Sequence, residues 1–245
     1  MPDHHYENPR LVALYDLDSG WSEDRDFYLN LPRKAVERIL DLGCGTGLLC
    51  DAYAARGHDV VGLDPAPAML EAAKAKEFGD RVSWVLGDAG SYIADKKFDL
   101  IIMTGHAFQV LLDDEEIERT FATMASNIKD DGRIVFESRN PAPEIDWKEK
   151  WNYSLTIELE GCSVEESRKF MQMVDDRMQF ELHYQFPEKT YVSHSELRFL
   201  SAAEIQDFAT KSGLKATTIY GDWDMSPFDE SLSEEMIFIL EKIKI

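Results

Sequence analysis

The chain has 245 residues, 44% of them hydrophobic, enough for one large α/β domain or one domain carrying an insertion, and too apolar for global disorder. Its 26 basic and 47 acidic residues leave a formal charge of −21. A surface so acidic repels phosphate backbones, which disfavours nucleic acid as a partner and suits neutral or cationic small molecules, although the same acidity also serves solubility alone.

The amino-terminal stretch lacks a basic region followed by an apolar one, so no secretory signal is expected. No uninterrupted apolar run approaches the ~20 residues of a membrane helix, and no membrane partner is expected. Cys44, Cys50 and Cys162 form no C-x-x-C pair, a usage that suits a reducing compartment; the expected location is the cytoplasm. His4 and His5 read as a solvated terminal pair, and no metal site is expected. Tyr15-Asp16 and the segment Trp21 through Tyr28 form an aromatic-rich stretch ahead of the first strand.

The apolar run Ile39–Leu42, broken only by Asp41, stops at Gly43, Gly45 and Gly47, and a Leu- and Ala-rich segment follows. That order is strand, glycine-rich turn, helix. Glycines let the backbone turn with positive φ and let a ligand approach without meeting a Cβ, and the amides opening the helix point at a polar or anionic group. The segment therefore predicts a site for a nucleoside-like cofactor. Beyond it, apolar runs and amphipathic helices alternate, as parallel βαβ units require. His58–Leu63 predicts the second strand, ending at Asp64, with Pro65 in the first turn of a helix through Met69 and Leu70. Val82–Leu86 and Phe98–Met103 predict the third and fourth strands. Asp113 and Asp114 open a helix whose inner stripe is Ile117, Phe121, Met124 and Ile128, and Gly132 closes the connection to a fifth strand, Arg133–Glu137.

From about Ile145 the rhythm changes. Tyr153–Leu159, Lys169–Val174, Met178–Phe186 and Thr190–Leu197 are β-branched and aromatic, separated by turn-like Glu160-Gly161, Asp175-Asp176 and Pro187-Glu188-Lys189. They predict an antiparallel insertion over residues 145–198, serving as a lid, a substrate platform or a homodimer surface, between core segments 1–144 and 199–245. The S-x-x-E pattern Ser201–Glu204 predicts a capping box, with Gly213 near that helix's end. Lys215–Tyr220 and Met236–Ile243 predict the last two strands.

Spacing discriminates among nucleoside cofactors. The glycines read G-x-G-x-G, one residue short of the dinucleotide fingerprint, and no P-loop pattern occurs. An acidic residue just before the turn opposes a pyrophosphate but suits a cation carrying an ammonium group. Residues 39–47, Ile-Leu-Asp-Leu-Gly-Cys-Gly-Thr-Gly, resemble at every position the first motif of class I S-adenosylmethionine (SAM)-dependent methyltransferases. That resemblance covers residues 35–140 well and the final strand pair moderately. It implies a doubly wound, mostly parallel seven-stranded α/β sheet whose last strand is antiparallel. It also implies SAM as the cofactor, held by Asp41, Gly43, Gly45, Thr46 and Gly47. Asp64, at the end of the second strand, is then expected on the ribose hydroxyls, although Asp also suits a helix N-cap there. Asp88 and the amide of Ala89 are expected on the adenine edge, although Gly87-Asp88-Ala89-Gly90 equally reads as an Asx-turn. Pro65, Ala66 and Met69 are expected against the adenine face, with Met69 equally suited to plain core.

The end of the fourth strand, Met103 through Gln109, is where this family positions the transferred methyl and its acceptor. The segment has no [D/N]-P-P-[Y/F/W], no Pro-Cys pair and no metal-binding aspartate, so DNA-base chemistry and a catalytic metal are not indicated. His106 is the candidate general base, with a loop histidine shaping the pocket as the plainer role. Tyr15 resembles the tyrosine that closes over the methionine end of SAM in small-molecule members. Arg139, Trp223 and Phe228 are the candidates for contact with the acceptor, by their places after the fifth and sixth strands. The expected activity is methyl transfer to an oxygen or nitrogen of a small molecule; the alternative is a protein that binds SAM or S-adenosylhomocysteine (SAH) without transfer. An NAD-dependent oxidoreductase is weakened by the glycine spacing.

Overall fold

The computed structural model describes residues 3–142, 144–159 and 161–244; Glu160 of one expected turn lies outside them. Three short helices come first: α1 (His4–Glu7), α2 (Pro9–Asp18) and α3 (Glu23–Leu29). An alternating run follows: β1 (Arg38–Leu42), α4 (Leu48–Ala55), β2 (Asp59–Asp64), α5 (Pro67–Lys74), β3 (Ser83–Leu86), β4 (Phe98–Met103), α6 (Asp114–Asn127) and β5 (Ile128–Arg139). After α7 (Trp147–Trp151) come β6 (Tyr153–Leu159), β7 (Cys162–Val174), β8 (Arg177–Gln185) and β9 (Thr190–Arg198), then α8 (Ala202–Lys211), β10 (Leu214–Tyr220) and β11 (Glu235–Lys242).

Seven strands form one sheet in the order β10-β11-β5-β4-β1-β2-β3, and β11 runs antiparallel to both its neighbours while β1 to β5 run parallel. The central strands carry apolar residues on both faces because both faces are covered. Leu40, Ile101, Ile134 and Phe136 pack with Ile117 and Phe121 of α6 and Ile205 of α8 on one face. Ile39, Leu100, Ile102 and Val135 pack with Leu49 and Tyr53 of α4 and with Tyr28 on the other. The anticipated capping box forms at Ser201/Glu204, a second that was not anticipated forms at Asp113/Glu116, and Gly213 takes φ +77 after α8. The four strands β6 to β9 make a second, antiparallel sheet. Its core joins Leu11 and Leu14 of α2 and Trp151 of α7, so the amino-terminal helices bind the two sheets together.

Four expectations need correction. Pro67 rather than Pro65 sits in the first turn of α5, because Asp64 accepts from the Ala66 amide and holds residues 64–66 in a turn ahead of the helix. The fifth strand begins at Ile128, not Arg133, and runs through Gly132, where a Cβ would lie 2.7 Å from Ile128 Cδ1. Strand β7 begins at Cys162, seven residues before the expected Lys169. Its inward-facing positions there include Glu166 and Arg168, so apolar alternation fails where the strand is nevertheless paired. His5 is buried rather than solvated, its Nδ1 2.9 Å from Ser193 Oγ of β9.

Candidate active site

Strand β1 delivers Asp41 and the glycine turn to the carboxyl edge of the sheet. The amides of Gly43 and Cys44 both donate to Leu63 O, at 2.8 and 3.0 Å, which pins the turn to β2. The glycines do unlike work. A Cβ on Gly47, at φ +72, would lie 2.5 Å from Trp84 Cη2 and 2.9 Å from Ala73 Cβ, so this glycine is demanded by packing. A Cβ on Gly45, at φ +54, would meet nothing nearer than Tyr15 Cε1 at 3.9 Å, so its face is open to a ligand.

Asp41 is buried. Its Oδ2 accepts from Cys50 Sγ at 3.4 Å, and its Oδ1 has no partner among the described residues. Burial pushes its carboxyl up to about 7, against the opposing Cys50 contact. An orphaned buried carboxylate oxygen beside an open glycine turn fits a ligand ammonium, which restores its charge and its hydrogen bond. Asp64 is also buried, its oxygens accepting from the amides of Gly45 (2.9 Å) and Ala66 (2.8 Å). The N-cap of α5 is Ala66, with no side-chain cap, so Asp64 instead closes an Asx-type turn ahead of that helix and locks the glycine turn. Burial raises its pKa while those two amides lower it. Asp88 is exposed and forms the Asx-turn, accepting from the Gly90 amide at 2.9 Å and the Ser91 hydroxyl at 2.8 Å. Ala89 packs against the main core, Pro65 is exposed, and Ala66 and Met69 pack with Val12, Tyr6 and Tyr15 between α2 and α5. Met69 therefore serves as core. Thr46 is buried and donates to Asp16, which also holds Lys76 at 2.5 Å. These contacts fasten α2 over the turn.

Tyr15 bridges the two loops of the site: its ring edge faces Gly45, and its hydroxyl lies 4.0 Å from where a Cβ on Gly105 would stand. Met103 is buried at the end of β4 beneath them. Beyond Tyr15 and Gly105 opens a cavity of about 290 Å3, roofed by the second sheet and lined by Tyr6, His106, Arg139, Glu166, Arg168 and Tyr184, among others. Arg139 and His106 thus fall where expected. Trp223 and Phe228 do not line the cavity. Trp223 packs on Phe27 and Tyr28, at ring distances of 5.8 and 6.0 Å, and Phe228 joins the main core.

His106 sits in the left-handed region at φ +59, strained for a residue with a Cβ. Its amide donates to Glu137 Oε1 at 2.7 Å, and the buried Glu137 also accepts from Tyr28. Its Nε2 lies 2.9 Å from Glu235 at the start of β11. Burial pulls the imidazole down to about 3, helped by the charge of Arg139, and burial pushes Glu235 up to about 8 despite Arg139. Both shifts oppose a charged pair, although the geometry alone would permit one; burial decides, so the two share a proton as one neutral unit near pH 7. On the roof, Arg168 pairs with Asp18 at 3.1 Å and stands 3.8 Å from the buried Glu166, whose carboxyl rises to about 7 through burial and the nearby Asp18. Tyr6, Gln109, Glu137, Glu166, Arg168 and Glu235 were all missed by sequence reasoning. Only Glu166 and Arg168 left a trace, as charges two apart on a strand.

A family model for a methyltransferase domain matches residues 39–132, the span that carries the glycine turn, Asp64 and β1 to β4. The chain is a SAM-dependent methyltransferase, and its motifs and fold are similar to those of the class I family. A glycine/sarcosine N-methyltransferase of Aphanothece halophytica is 27% identical to it, covering 89% of this chain and 84% of its own. Two solved structures share the fold across nearly the whole methyltransferase. The sugar N-methyltransferase KedS8 from Streptoalloteichus has a TM-score of 0.76 at 18% identity, covering 94% of this chain and 93% of its own. SAM-bound CalS10, an amino pentose methyltransferase from Micromonospora echinaspora, has a TM-score of 0.70 at 21% identity, covering 94% and 96%. The cofactor is SAM. Among the described residues, no helix is long and apolar enough to cross a membrane.

Proposed function

We propose that this methyltransferase methylates the amine nitrogen of a small molecule held between the β4 and β5 loops and the second sheet. The observation that carries this reading is the cavity itself. It begins at the Tyr15–Gly105 bridge, is closed by the roof and has room for a metabolite rather than a polymer, with Asp18, Asp24 and Glu166 in its lining. The relatives named above add weight, since two of the three are N-methyltransferases by name and the third acts on an amino pentose.

When bound, SAM supplies a methyl group on a sulfonium that is already an excellent leaving group. The residues of the chain bind, orient and exclude water. Asp41 meets the ammonium of the cofactor with its orphaned oxygen, Gly45 gives it room, and Asp64 reaches the ribose from the turn it locks. Asp88 and the Ala89 amide remain the proposed adenine contacts. Tyr15 covers the methionine end and, with Gly105, bounds the space where nitrogen meets methyl. An amine arriving as ammonium must first lose a proton. The His106–Glu235 pair takes it in its ionised form, a minority at pH 7 that grows as pH rises through about 8, the value to which burial raises Glu235. Residues 145–198 act as the unit that covers the acceptor.

Turnover of labelled SAM over a panel of small amines and alcohols tests this reading. N-methyl products are expected; O-methyl products alone, or SAM binding without any transfer, refute it. For His106→Ala, turnover is expected to fall at least tenfold at pH 7 and to recover toward pH 10, where the free amine is already deprotonated. Unchanged turnover at pH 7 would remove the pair as proton acceptor.

A further inference from the structure

The charges lining the cavity do not balance in the same way everywhere. Three guanidinium groups reach it, from Arg25, Arg139 and Arg168. Arg25 is paired with Asp24 and Arg168 with Asp18, each at 3.1 Å. Arg139 has no carboxylate within 4.0 Å among the described residues. The strongest acidic influence on it, Glu235, is engaged with His106 at 2.9 Å. An enclosed cation without a counter-ion is costly, and burial is the main reason the guanidinium is pulled down to about 10.

The group is nevertheless held in place. One terminal nitrogen of Arg139 donates to Gln109 Oε1 at 3.0 Å, and the Arg139 amide reaches the same oxygen at 3.3 Å. Gln109 is fully buried and anchored by its own donation to Arg198 O at 3.1 Å. The guanidinium carbon stands 4.7 Å from the ring centre of Trp151 and 5.9 Å from that of Trp147. Gln109 thus fixes one edge and the indoles one face, while the nitrogens not bonded to Gln109 have no protein acceptor among the described residues. A stacked guanidinium with a free edge is a fork preset for two parallel hydrogen bonds to a planar anion.

We infer that the methyl acceptor carries a carboxylate as well as its amine, and that Arg139, positioned by Gln109 and Trp151, is the residue that binds this carboxylate. The inference rests on the proposed amine methylation and narrows its substrate class to amino acids. Carboxylate binding at Arg139 holds the far end of the acceptor, while the amine is presented at the Tyr15–Gly105 gap.

Calorimetry on the SAH-saturated enzyme tests this, with matched acid and amide probes: glycine against glycinamide, 4-aminobutyrate against its amide, and benzoate against benzamide. At least one acid is expected to bind tenfold or more tightly than its amide. Arg139→Gln should reduce that preference to within twofold while SAH affinity stays within threefold, and Arg139→Lys should retain a weaker preference because it keeps the charge but loses the fork. Equal binding of acids and amides, no binding of any acid, or a preference that survives in Arg139→Gln overturns the inference. Failure of the wild-type enzyme to bind SAH would instead count against the cofactor reading, and the same titrations without SAH would still judge the carboxylate seat.

Discussion

The cofactor side and the acceptor side of this enzyme are built by opposite means. The glycine turn, Asp41, Asp64 and the strands that carry them lie within residues 38–64 and hold themselves mainly through backbone hydrogen bonds and local packing. The acceptor cavity draws on α1, α2, the β4 and β5 loops and three strands of the second sheet, separated by more than a hundred residues in sequence. Its walls are held by side chains: Asp18 on Arg168, His5 on Ser193, Gln109 on Arg139 and on Arg198 O. A local, backbone-made site tolerates little change in shape but serves many relatives. A side-chain-made cavity is free to change its chemistry residue by residue.

That contrast can be broken or sharpened by mutation. The largest effect is expected at Gly47→Ala, where a Cβ meets Trp84 and Ala73 at a positive φ; a loss of about 2–4 kcal/mol in urea unfolding is expected. Retained stability would show that Trp84 yields, and that the turn is less rigid than its packing implies.

Next comes Asp41→Asn, which should weaken SAM binding about 10- to 100-fold by calorimetry, through loss of a charged acceptor. Its stability should move the other way. The Asp41 carboxyl is raised in the ligand-free fold from 3.8 to about 7, so the stability associated with its protonated form is complete below the unfolded value and lost as pH rises through about 7. An asparagine carries no such loss. Ligand-free Asp41→Asn should therefore gain on the wild type between pH 5 and pH 8, by about 1–3 kcal/mol, and parallel urea midpoints at the two pH values would contradict this.

A smaller effect is expected for Tyr28→Phe, which removes the hydroxyl donated to buried Glu137 beneath the His106 amide; about 1–2 kcal/mol should be lost in the same assay. The smallest concerns Trp223→Leu. Because Trp223 packs on Phe27 and Tyr28 outside the cavity, the acceptor KM should stay within about twofold even as stability falls. A KM change beyond tenfold would return Trp223 to the acceptor wall.

Legibility in the sequence follows the same division. The βαβ rhythm, the Ser201–Glu204 capping box and Gly213 could be read because each depends on neighbours a few residues apart. Pro65 and Pro67 were confused because either fits a first helical turn and only the Asp64–Ala66 turn selects between them. The early start of β7 was hidden because its paired, inward-facing residues include Glu166 and Arg168. Sequence periodicity fails there for the reason the site exists, since charges facing a cavity are inward without being apolar.

By itself, then, the sequence determined the parallel core and the glycine turn, because both are written in near neighbours along the chain, and the resemblance of residues 39–47 to a known motif pointed to the cofactor. Only the tertiary structure decided which of those glycines serves packing, that Asp41 keeps an unpartnered oxygen, that Trp223 and Phe228 face the core, and that Arg139 is the one guanidinium of the cavity without a carboxylate among the described residues. Each of these depends on which distant side chain stands within a few ångströms, and that is set by how whole sheets and helices pack.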